Sequence, residues 1–158
     1  MSIRDAIDSE IAPLAALWRD AWMDGHAAHV PADLVALRTL DSFESRLRQA
    51  YPEIRVADEN GALLGFHVLK GAELYQLFVA AEARGTGVAV KLIEDAEARL
   101  AARGVETAFL TCAIGNRRAA RFYEKRGWRL ARTLVEELPT KAGPYALEVW
   151  RYEKRLTT

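Results

Sequence analysis

The sequence predicts a single α/β (α+β) domain, a mixed, mostly antiparallel sheet of about six to seven strands flanked by about four helices. Three observations predict it. Apolar runs at Ile54–Ala57, Leu63–Leu69 and Leu74–Val79 follow one another, the first two joined by Asn60-Gly61, and read as an antiparallel meander. The last of them, a turn holding Gly85 and Gly87, a helical pattern and the run Thr107–Thr111 make strand, turn, helix, strand, which calls for a parallel pair inside the sheet. Trp128–Leu138 and Tyr145–Tyr152 surround the turn PTKAGP and close the chain as a β-hairpin.

The remaining elements follow in order. Ile3 to Ala6 forms a short opening strand. Asp8 or Ser9 caps a helix on which Ile11, Leu14, Ala15, Trp18 and Trp22 keep helical spacing, with Pro13 in the first turn, where proline costs least. A looser stretch, GHAAHVPADL, leads to a second helix from about Ser42 to Gln49. In the helix after the glycine turn, Ala89, Leu92, Ile93, Ala96 and Leu100 share one face, and Gly104 ends it. Asn116–Arg126 reads as the last helix.

Composition excludes several classes. The chain has 158 residues, 51% of them hydrophobic, enough for one compact core. Lys and Arg total 22 and Asp and Glu total 22, so overall charge gives no argument for nucleic acid or an anionic membrane. Cys112 is the one cysteine, which rules out an internal disulfide. The charged start MSIRDAIDSE lacks the apolar run of a signal peptide, and nothing approaches a membrane span. A soluble, cytoplasmic protein is expected, organised as one domain over residues 1–158.

The segment AEARGTGVAVKL carries the chemistry. A glycine-rich turn feeding a helix presents unpaired N–H groups at the positive end of the helix dipole, an anion site. No Gly-Lys-Ser/Thr follows, so a Walker-type nucleotide site is excluded, and the preceding meander argues against a dinucleotide site.

Together, ELYQLFV, RGTGVA and GNRRAARFYEKRGW resemble the GNAT superfamily of acyl-CoA-dependent N-acetyltransferases. The family pattern of Arg or Gln, two residues, Gly, one residue, then Gly or Ala is filled by Arg84, Gly87 and Ala89. A second is filled by Asn116, Ala119, Phe122-Tyr123 and Gly127-Trp128. The likeness extends well over about residues 54 to 152 and loosely over 3 to 25; between 26 and 50 it says little.

The resemblance implies acetyl-CoA as cosubstrate, with no metal. Its pyrophosphate would lie on the N–H groups of Arg84, Gly85, Thr86, Gly87, Val88 and Ala89. The backbones of Phe78 and Val79 would meet the pantetheine amides, and Asn116 would both cap its helix and touch the pantetheine arm. Tyr123 takes the position of a tyrosine that faces the sulfur and assists the departing thiolate. Glu73 takes a position where many members carry the general base for the acceptor amine. Solvated strand-start carboxylate and core aromatic are the plainer readings of these two residues.

The function expected is acetyl transfer from acetyl-CoA to a primary amine of a small-molecule or peptide acceptor by direct attack. A noncatalytic acyl-CoA-binding or regulatory module on the same fold is the alternative. Arg117, Arg118, Arg121, Lys125, Arg126, Arg129 and Arg132 stand against Glu124 alone, a solvated basic face that would also steer phosphates or RNA; a nucleic-acid partner is not expected. His26 and His29 have metal-compatible spacing, but no carboxylate or thiol pattern completes a set, and a pocket-lining role is preferred. Cys112 reads as a small core residue. The apolar strand Tyr145–Tyr152 suggests an edge that pairs across a homodimer.

Overall fold

The computed structural model describes residues 1–156. Strands β1 (Ser2–Asp5), β2 (Ile54–Glu59), β3 (Ala62–Lys70), β4 (Glu73–Val79), β5 (Thr107–Ala113), β6 (Arg129–Leu138) and β7 (Tyr145–Arg155) form one seven-stranded sheet in the order β1-β2-β3-β4-β5-β7-β6. Every pairing is antiparallel except β4 with β5. Among the described residues five α-helices accompany it: α1 (Ile11–Gly25), α2 (Ala32–Leu37), α3 (Leu40–Ala50), α4 (Val88–Ala102) and α5 (Arg117–Lys125).

Period-2 alternation places the two helical layers. Ile54, Val56, Phe66 and Val68 turn to one face, where α1 and α3 lay Leu14, Trp18, Phe43 and Leu47 on them. Trp18 is the centre of that layer, 4.9 Å from the Phe43 ring and 5.8 Å from Phe66. Its truncation to alanine would cost about 3–5 kcal/mol, the range for large buried aromatics. On the other face α4 buries Val88, Leu92, Ile93, Ala96 and Leu100 against β3, β4 and β5, as the helical spacing requires. Asp95 fixes its rotation: its carboxylate accepts two bonds from Arg55 at 3.1 and 3.2 Å and lies 2.8 Å from His67 Nε2.

Turn chemistry agrees with the sequence. Asn60 and Gly61 both have positive φ, 53° and 88°, as a two-residue hairpin turn of this hand demands. Gly104 (φ 83°) ends α4, its N–H donating to Ala101 O.

The sheet comes apart in its middle. Among the described residues β4 and β5 share one register pair, Glu73 opposite Phe109, and beyond it Leu74–Val79 and Leu110–Ala113 diverge. A local irregularity explains the departure. Leu69 pairs with Leu74 but Val68 pairs with Gln76, which leaves Tyr75 as an extra residue in β4, and such a bulge bends its strand.

Three expectations need correction. The stretch GHAAHVPADL runs into an additional short helix, α2, with Leu34 its one fully buried residue. Neither Asp8 nor Ser9 caps α1; both lie in a 3-10 turn, Asp8–Glu10, whose Glu10 carboxylate accepts from Ile7 N at 2.9 Å. Strand β7 is not an edge, because the hairpin folds it between β5 and β6, hydrogen-bonded on both sides. Pairing across a homodimer through β7 is therefore closed off, and β6 is the edge on that side. No helix of the described residues is long and apolar enough to cross a membrane.

Candidate active site

Where β4 and β5 part, two cavities meet. The larger, about 420 Å³, runs from Leu77, Phe78 and Val79 on β4 past the glycine turn to Asn116 and Tyr123. The smaller, about 150 Å³, lies between α1, α2 and α3 and the sheet, and reaches Glu73 and Glu136. Tyr75, Gln76, Phe78, Thr111, Cys112 and His26 line both. The strands on either side of the gap thus form a wall common to the two cavities.

The glycine turn has the geometry of an anion cradle. Gly85 and Gly87 take φ of 77° and 87°, and a Cβ on either would meet nothing within 4 Å. The space in front of the turn is open, and only the backbone conformation demands glycine. The first helical bond of α4 runs from Lys91 N to Gly87 O, so the N–H groups of Val88, Ala89 and Val90 have no helical acceptor. The Thr86 hydroxyl donates to Ala83 O and ties the turn down.

Asp24, at the end of α1, ties together two arginines that line the larger cavity. Its carboxylate pairs with Arg84 of the glycine turn and, at 3.3 Å, with Arg118 of α5, and both guanidiniums hold it below the usual carboxylate range. Of the basic residues on and after α5, Arg118 is the one that lines this cavity; Arg129 and Arg132 pair with Glu153. The remainder of the run is largely a solvated face.

Asn116 does cap α5: its Oδ1 accepts from Ala119 N at 3.3 Å, and its buried side chain also lines the larger cavity. Tyr123 packs edge-on to Phe122 and to Trp128, and removal from water raises its phenol well above the ordinary value, so at neutral pH its hydroxyl keeps its proton. Cys112 is buried nearby and its thiol is pushed up to about 12, which keeps it protonated and a poor nucleophile.

Glu73 opens β4 at the wall of the smaller cavity, half-buried. Desolvation first, then the charge of Glu136, push its carboxyl up to about 7 against the opposing pull of Lys70 and Arg151. Glu136 on β6 accepts from the Thr111 hydroxyl at 2.8 Å. A carboxyl poised near 7 is suited to taking a proton at physiological pH. Glu73 and Tyr123 line different cavities, on either side of the shared wall.

His26 also lines both cavities, stacked on Trp22 with 5° between the rings, and burial lowers it to about 4. His29 sits in the following 3-10 turn, and among the described residues no group of His, Cys, Asp and Glu is placed to hold a metal. Sequence reasoning did not single out Asp24, Arg38, Arg46 or Glu136. No motif marks them, and they reach the site from elements whose contacts form only in three dimensions.

The profile of the acetyltransferase (GNAT) family matches residues 14–128. The chain belongs to the acetyltransferase (GNAT) family. Among curated relatives of this GNAT chain are the L-methionine sulfoximine/L-methionine sulfone acetyltransferases of Pseudomonas paraeruginosa and Pseudomonas aeruginosa. Each is 26% identical over 141 residues, covering 82% of this chain and 81% of its own. A GCN5-related N-acetyltransferase of Rhodopseudomonas palustris shares the fold with TM-score 0.77 at 21% identity, over 98% of this chain and 94% of that one. The PaiA N-acetyltransferase of Thermoplasma acidophilum, solved with coenzyme A, gives TM-score 0.72 at 16% identity over 98% of both chains.

Proposed function

We propose that this GNAT protein moves the acetyl group of acetyl-CoA to a primary amine by direct attack within a ternary complex. The observation that carries the reading is the placement of Glu73 and Tyr123 in two cavities that share one wall at the strand gap. Acetyl-CoA would enter by the larger cavity, its pyrophosphate on the N–H groups of the Arg84–Ala89 turn and its pantetheine beside the backbones of Phe78 and Val79, with Asn116 alongside. The amine would enter by the smaller one.

The chemistry divides between the two sides. Glu73 takes the proton of the ammonium, directly or through water, and the freed lone pair forms the C–N bond at the acetyl carbonyl. Strand N–H groups such as that of Val79 polarise that carbonyl. The C–S bond breaks, the electron pair leaves with the sulfur, and the acylated nitrogen gives up its second proton to the thiolate, directly or through the Tyr123 hydroxyl that hydrogen-bonds the sulfur. Holding amine and thioester in contact supplies much of the acceleration, since an oriented encounter replaces a bimolecular one.

An amine panel containing L-methionine sulfoximine and L-methionine sulfone, the compounds named in the curated relatives, tests the reading. Thiol release matched by an N-acetylated product in mass spectra is the expected result. Tight acetyl-CoA binding with no transfer to any amine would instead favour the noncatalytic binding module.

A further inference from the structure

Two arginines on the helical side of the smaller cavity lack an anion. Arg38, at the C-terminal end of α2, is 3% exposed; its Nη1 donates to Pro139 O at 2.7 Å and its Nε has no partner. Arg46, on α3, lies 4.3 Å above the Trp18 ring, reaches the Tyr75 hydroxyl at 3.4 Å and also leaves its Nε unpartnered. Neither is ion-paired among the described residues. Burial and the like charge of Arg46 together lower Arg38 to about 10. Two guanidiniums lining one cavity, one of them shut away from water, form an arrangement that an anion would relieve.

The sheet side of the same cavity is mainly acidic: Glu73, Glu136 and Glu137 line it beside Lys70. We propose that Arg38 and Arg46 bind the carboxylate of the acceptor, which is therefore a small amino acid whose amine is presented to Glu73. The proposal rests on the N-acetyl transfer reading and narrows it to a substrate class. A polyamine would set an ammonium against the two guanidiniums, and a protein lysine would bring no carboxylate to them. A volume of about 150 Å³ is below that of pockets for drug-sized ligands and suits a molecule of amino-acid size.

The test compares α-amino acids with their own carboxamides as acceptors of the intact protein. The wild type is expected to favour the acids by about 10-fold or more in kcat/KM, chiefly through KM, because charge-assisted bonds to the carboxylate are lost in the amide. Arg46→Gln, and separately Arg38→Gln, should bring that ratio close to one, with acetyl-CoA affinity by calorimetry confirming a folded site. Carboxamides used as well as acids by the wild type would overturn the carboxylate site while leaving N-acetyl transfer intact. If no amine of any kind is acetylated, the parent reading fails, and calorimetric titration with the same amino acids then decides the site. Saturable binding that Arg46→Gln abolishes upholds it, and no binding to the wild type overturns it.

Discussion

Glu136 shares the smaller cavity with Glu73, and its negative charge adds to desolvation in holding the Glu73 carboxyl up to about 7. The two carboxyls come from β6 and β4, strands that are not neighbours in the sheet. The Glu73 carboxyl is therefore tuned from a distant part of the chain.

If Glu73 is the base, kcat/KM should rise with pH as its carboxylate forms, with the limb centred near 7. Glu73→Gln should remove that limb and lower turnover by about 10²-fold or more while acetyl-CoA still binds. A pH–rate profile of both proteins with one amine checks it. An unchanged profile in the variant would reassign the base.

Replacing Glu136 separates tuning from chemistry. Glu136→Gln removes a like charge that raises Glu73, so the carboxyl should fall and the rising limb should move to lower pH. The amine is the same in both profiles, so its own titration cancels in the comparison. A shift to higher pH would show that Glu136 acts on something other than Glu73.

Tyr123→Phe should slow acetyl transfer by about 10²-fold with little change in acetyl-CoA affinity, because the lost hydrogen bond strengthens only as the sulfur gains charge. Single-turnover kinetics separate this from product release. Near-native single-turnover rates would leave Tyr123 as a packing residue beside Phe122 and Trp128.

Gly87→Leu should abolish acetyl-CoA binding in a protein that still folds. A Cβ at Gly87 meets nothing within 4 Å, so the cost to the free protein is the strain of a positive φ, about 1–2 kcal/mol. The added side chain would stand in the space assigned to the pyrophosphate. Calorimetry and circular dichroism together check it, and unchanged affinity in a folded variant would remove the cradle.

Asp95→Asn tests the scaffold. The substitution leaves Arg55 and His67 without the carboxylate that joins both to α4, and breaking such a part-buried pair is expected to cost about 3 kcal/mol in urea denaturation. A loss under about 0.5 kcal/mol would mean that apolar packing alone seats α4.

The parts that local chemistry dictates were legible in the sequence. Asn60-Gly61, the glycine turn, Gly104 and the Asn116 cap each act within a few residues, and the α4 repeat declares its buried face. Strand order was less so. Tyr145–Tyr152 and Trp128–Leu138 are both half-apolar, and a hairpin can lay either strand beside β5; burial of Val149 and Tyr152 shows which one is interior. Helix α2 gave little signal because it has six residues and buries only Leu34 completely. At the site, Glu73 and Tyr123 fell within recognisable patterns. Asp24, Arg38 and Arg46 did not, since what matters about them is which distant charge they meet or lack.

The parted strands leave backbone donors and acceptors of β4 and β5 without the ladder partners a continuous sheet would supply. In the free protein, amide protons along Leu74–Val79 and Leu110–Ala113 that face the gap should therefore trade with solvent faster than their neighbours in β3 and β7. A ligand threaded between the strands would act as a splint. At a hundredfold excess over its dissociation constant it would add about 2.7 kcal/mol to the folded state, and that gain should appear as slowed deuterium uptake on both sides of the gap at once.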